Sequence, residues 1–130
     1  MFNNSKLLLC GSSSLFFLTS YYGYKIKHPL YSYDLFSAIF SLAYWSNPTN
    51  MLLRSSDIMV ANTVGLAFLN HGCNNVKDLI KYVGHINTIM FMGCFGLSNY
   101  YYMKSNPIWE KYHFCFHLLV SVNKMIVYLF

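Results

Sequence analysis

Charge is what this sequence has least of. Lys and Arg number 9 and Asp and Glu 4 in 130 residues, so 10% of the chain is charged, against about 25% in a soluble domain. A small fold exposes a large share of its surface, and too few polar groups are present to make that surface face water. The basic residues stand singly between apolar segments, with no basic run or face. Despite a net charge of +5, this argues against nucleic acid as a partner and for contact with lipid headgroups. Cys10, Cys73, Cys94 and Cys115 form no Cys-x-x-Cys pair, which leaves neither a zinc finger nor a disulfide framework. No small-x-small cleavage site follows the first apolar stretch, so that stretch reads as an uncleaved anchor. No barrel-like alternation recurs, and open sheet edges are not tolerated in lipid.

What the chain does contain is apolar: 55% hydrophobic and 19% aromatic residues. After a polar lead at 1–6, five apolar segments run from Leu7 to Tyr24, Leu30 to Trp45, Asp57 to Leu69, Leu79 to Met103 and Ile108 to Phe130. Four approach the roughly 20 residues needed to span hydrocarbon as helix; the third is short unless it borrows from its flanks. Asn47-Pro48 stops the second segment, since the residue before proline is pushed out of the helical region. Ser55, Ser56 and Asp57 are available to cap the third, and Gly72 to end it. Ser12, Ser13 and Ser14 suit a close helix–helix contact. Asp34 lies where a carboxylate favours a helix N-terminus, and Lys124 has the length to reach headgroups. The expectation is an all-α protein: a single integral membrane domain over 1–130, built as a polytopic transmembrane bundle of about five helices. Orientation stays open, because Lys6, Arg54, Lys104 and Lys111 on one side balance Lys25, Lys27, Lys77 and Lys81 on the other.

The parity of five spans puts Ser41, Trp45, Asp57, His113 and His117 at one end and His28, His71 and His85 toward the other. His113 and His117 are four apart and share a helix face, a spacing that lets two imidazoles bind one metal. Ser121 and Lys124 continue that face, and a polar stripe in an apolar helix belongs inside the bundle. Asp57 is a candidate third ligand, an acceptor orienting a ligand histidine, or a general base. Each residue also has a plainer role. The histidines can bond between helices, Asp57 can cap a helix or pair with Arg54, Ser41 can pack, and Trp45 can anchor at the interface.

Taken jointly, Ser41, Asp57, His113 and His117 resemble the motifs of the CREST membrane hydrolases, which include the alkaline ceramidases and the progestin/adipoQ receptors. The resemblance covers residues 37–62 and 110–124. It implies zinc on His113 and His117 with Asp57, Ser41 and Asp57 as catalytic residues, and hydrolysis of an amide or ester in a lipid. The chain departs from the family where a second-helix histidine falls on Trp45, and in having about five spans rather than seven. The Tyr-Trp-x-Asn-Pro…Arg…Asp arrangement (Tyr44 to Asp57) also resembles small membrane proteins of large DNA viruses. Two functions therefore stand side by side: a reduced metal-dependent lipid hydrolase, and a non-enzymatic scaffold of a viral or organellar membrane assembly. Either would have membrane lipids, other membrane proteins or further copies of itself as partners.

Overall fold

A computed structural model describes residues 4–130; the first half of the polar lead, 1–3, lies outside the described residues. Five helices follow in order: α1 (Asn4–Lys25), α2 (Tyr31–Ser46), α3 (Met51–Asn75), α4 (Asp78–Met103) and α5 (Trp109–Leu129). Among the described residues there is no strand. The expected segments match these helices closely except the third, which starts six residues earlier, at Met51. The cap is Asn50, whose side-chain oxygen accepts from the backbone N–H of Leu52 and Leu53 at 3.0 and 3.2 Å. Asp57 is therefore inside α3, and Gly72 lies within the helix rather than beyond its end.

Short connections make the helices alternate in direction. The α1–α2 turn closes when Lys27 takes a positive φ of 56° and His28 N–H donates to Gly23 O at 2.9 Å, a Schellman geometry. Ser105, with φ of 52°, ends α4 the same way, Asn106 N–H donating to Tyr101 O. α1 packs along α2 and α5, α4 packs along α5, and α2 meets α3. α3 touches α4 and α5 only sparsely.

Burial in this bundle departs from the globular pattern, although apolar clusters are still enclosed at Leu30, Val64, Phe68 and Val127 and at Leu9, Tyr44 and Trp45. Globular proteins enclose apolar side chains and leave charged ones outside. Here the largest side chains fully shut away are Asp34, Ser12, Ser13 and Ser98, while Leu66, Leu79 and Ile89 are 67%, 79% and 74% exposed. Among the described residues, α3 is the one helix that is long and apolar enough by itself to cross a membrane. The polar residues that dilute α1 and α5 are largely those turned inward, such as Ser12, Ser13, His117 and Lys124.

At the centre of the inward polar surface is Asp34. Lys124 Nζ donates to Asp34 Oδ1 at 2.5 Å and to Ser37 Oγ at 2.9 Å. Thr19 Oγ1 and Tyr128 OH donate to Asp34 Oδ2 at 2.6 and 3.1 Å. The ammonium also lies 3.9 Å from the Phe16 ring centre, a cation–π contact. Asp34 thus ties α2 to α1 and α5, instead of serving only the start of its own helix, and Lys124 turns inward rather than to the headgroups. Gly23 makes room for this: a Cβ there would sit 2.7 Å from Tyr128 Cζ.

Removing one member of a buried ion pair strands the other, which costs about 3–5 kcal/mol, whereas replacing both with apolar side chains is close to neutral. Lys124→Met is expected to lower the unfolding midpoint in detergent sharply, and Asp34→Leu/Lys124→Met to recover most of the loss. Equal losses in the two variants would show that the pair is not what holds these helices together.

Candidate functional site

The sparse contact of α3 with α4 and α5 leaves a cavity of about 400 Å³ between them. Ser41, Trp45, Asp57, His113 and His117 all line it, with Arg54, Ser37 and Lys124. Sequence parity had grouped the first five at one end; the fold brings them to one wall system. Most of the remaining lining is apolar, including Phe16, Ile58, Val64, Phe68, Phe91 and Phe95. Ala61, Gly65, Leu66, Leu69 and Met92 line the cavity and are also exposed, so it opens along α3 and α4.

The two histidines are positioned by hydroxyls from other helices. Ser12 Oγ donates to Leu9 O at 2.9 Å and stands 2.8 Å from His117 Nδ1. A hydroxyl has one proton, so Ser12 accepts from Nδ1–H. Ser98 Oγ donates to Trp109 O at 3.2 Å and meets His113 Nδ1 at 3.3 Å, which assigns the same tautomer. Each ring is left with Nε2 as a lone-pair acceptor. The rings lie 4.7 Å apart, centre to centre.

The other predicted site residues face different partners. Ser13 Oγ donates to Leu9 O, so Ser41 Oγ donates to Ser13 Oγ at 3.0 Å. The hydroxyl is engaged in α1–α2 packing rather than with an imidazole. Asp57 is half-buried in the cavity wall and, among the described residues, forms no ion pair with Arg54, whose guanidinium carbon stands 5.0 Å from the Tyr102 ring centre. Trp45 packs against His113 with ring centres 4.9 Å apart and stacks on Trp109 at 5.8 Å. Its buried Nε1 finds no acceptor among the described residues.

No family model, no curated protein and no solved structure matches this chain. The zinc implied by the family resemblance is therefore weighed on the side chains alone. Two imidazoles have the tautomer a metal ligand needs, with the far nitrogen held by a hydroxyl. A third donor is missing: among the described residues, no three His, Cys, Asp or Glu side chains gather as a metal requires. An indole N–H cannot ligate. The donor set falls short of the three protein ligands of a catalytic zinc site.

At the opposite end, His28 and His71 pack edge to face at 4.7 Å, and His28 meets Tyr128 at 4.9 Å. His28 lies in the α1–α2 connection, and its Nδ1 accepts from Leu30 N–H at 3.2 Å. Burial, and then the nearby His71, lower its pKa. Neither this end nor the Asp34 network is legible as a unit in the sequence. The available signal was Lys124 on the His113 face, which already demanded a partner inside the bundle.

Because Trp45 stands where a third imidazole would approach His113, Trp45→His is expected to bind near-stoichiometric zinc after metal loading of detergent-purified protein, with the wild type far below it. Equal zinc in both proteins, lost in His113→Ala/His117→Ala, would show that the native donor set is sufficient.

Proposed function

We propose that this chain is a multi-pass integral membrane protein that holds a lipid acyl chain in the cavity between α3 and α4, as a non-enzymatic component of a membrane assembly. The observation that carries the reading is the apolar exterior: Leu66, Leu79 and Ile89 face outward, while Asp34, Ser12, Ser13 and Ser98 are enclosed beside the apolar clusters. In water that exterior would be an aggregation surface; in hydrocarbon it is the solvated one. Helix length supports it as well. α1, α3, α4 and α5 have 22, 25, 26 and 21 residues, enough to cross the roughly 30 Å hydrocarbon core. α2 has 16 and spans only by thinning the bilayer locally or by tilting its neighbours.

The lipid assignment follows from the cavity. Its walls are mostly apolar, it opens along two outward-facing helices, and Arg54, Asp57 and Trp45 supply polar groups. A chain entering from the bilayer would replace no hydrogen bonds along the Phe91 and Phe95 wall, and its headgroup would meet Arg54.

A second reading is a reduced relative of the CREST hydrolases. The tautomers of His113 and His117, both with Nε2 free, favour it. Trp45 against His113 weighs the other way. Release of fatty acid from ceramide-containing vesicles that stops in His113→Ala/His117→Ala would move the assignment to this reading.

Gly65 tests the first reading, since it lines the cavity and a Cβ there meets nothing within 4 Å. The purified protein is expected to float with vesicles, to resist alkaline carbonate, and to carry co-purified lipid seen by native mass spectrometry. Gly65→Leu is expected to float equally and to lose most of that lipid. Lipid retained unchanged in Gly65→Leu would remove the cavity from the account.

A further inference from the structure

The cavity chemistry leaves Tyr128 and Asp34 unused, although ionisable groups enclosed within a membrane are costly and mark ion or proton pathways. We propose that the polar column from His28 through Tyr128, Asp34 and Lys124 to the cavity conducts protons through the bundle. This rests on the membrane reading above, since a pathway has meaning only where the helices separate two compartments.

Three observations carry it. First, hydrogen bonds join the middle three groups: Tyr128 OH donates to Asp34 Oδ2 at 3.1 Å, and Lys124 Nζ donates to Asp34 Oδ1 at 2.5 Å, while His28 meets Tyr128 by ring packing. Every group between them gains or loses a proton without moving its backbone. Second, each end of the chain of links leads outward. Tyr128 packs against His28 in the α1–α2 connection, and His28 against His71 near the end of α3. Lys124 lines the cavity, which reaches His117, His113 and Asp57 toward the opposite end of the bundle. With an acyl chain along the Phe91 and Phe95 wall, water belongs at the polar wall of Ser37, Lys124, His117, His113 and Asp57, where one molecule needs only about 10–15 Å³. Third, the groups facing Asp34 come from three helices (Thr19, Ser37, Lys124 and Tyr128), and all are hydroxyls or an ammonium. No second carboxylate competes for the proton there.

The transfer balances with protons alone. Lys124 releases a proton to water in the cavity. The Tyr128 hydroxyl passes its proton to Asp34 Oδ2; the carboxyl turns about its Cβ–Cγ bond, and the same proton passes to the Lys124 amine. Water on the His28 side reprotonates the Tyr128 oxygen. One proton crosses, only O–H and N–H bonds change, and the gradient sets the direction.

The test is proton flux into vesicles of phosphatidylcholine and phosphatidylglycerol, driven by a potassium gradient with valinomycin and read by an entrapped pH dye. Flotation and circular dichroism are measured on the same samples. Wild type is expected to acidify the lumen well above empty vesicles. Tyr128→Phe keeps the ring against His28 and Phe68 and removes one hydroxyl; it is expected to slow the flux at least tenfold. Asp34→Leu/Lys124→Met is expected to abolish it. Floating, helical wild type with the flux of empty vesicles overturns the proposal and leaves the membrane reading intact. So does undiminished flux in both variants, which would make the network structural only. Protein that stays at the bottom of the flotation gradient overturns the membrane reading and this inference with it.

Discussion

The Asp34 carboxylate is the constraint on which the rest of the bundle depends. It is wholly enclosed, and an isolated charge in such a place is far too costly to keep. Its compensation comes from Lys124 and Tyr128 on α5 and Thr19 on α1. Those partners fix which faces of three helices meet, and with them the register. Once α1 and α5 are set by Asp34, Ser12 falls beside His117, and Ser13 beside Ser41. The fit of Tyr128 against Gly23 completes the same contact. α3 contributes no hydrogen bond to this network, only the Phe68 ring against Tyr128 and Lys124, and it stands away from α4 to leave the cavity.

Much of the helix layout was readable because its signals are local. Pro48, the basic stretch at 25–29 and the polar stretch at 104–107 mark boundaries that differ from the structure by a few residues. The cap of α3 is Asn50, which has the same capping chemistry as Ser55, Ser56 and Asp57 five to seven residues downstream, so local chemistry alone does not choose among them. Alternation of helix direction sufficed to group Ser41, Trp45, Asp57, His113 and His117, and these do share one cavity. Their partners were not readable. Hydrogen-bond partners depend on helix rotation, and Ser12 and Ser13 reveal a close contact without saying which helix makes it. Asp34 and Lys124 lie 90 positions apart, and each has an adequate local role alone, one with a helix N-terminus and the other with headgroups. Only their burial together shows that they compensate one another.

The cavity and the polar column are two consequences of one packing arrangement. Outside, apolar side chains remove any need for surface charge. Inside, hydroxyls, imidazoles and one ion pair supply the directional contacts between helices, which the proposed hydrocarbon surroundings would not. Trp45 lies where these regions meet, stacked on Trp109 and packed on His113. It turns what could be a metal-binding corner into an aromatic one, with two correctly oriented imidazoles and no third donor.

The central claim is that the apolar exterior faces hydrocarbon. The most direct measurement is electron paramagnetic resonance on a cysteine-free background, with single spin labels at Leu66, Ile89 and Val122 in vesicles. All three positions are exposed, on α3, α4 and α5. Greater collision with oxygen than with a water-soluble nickel complex at all three is the predicted result. Greater collision with nickel at these positions would place the exterior in water and contradict the account.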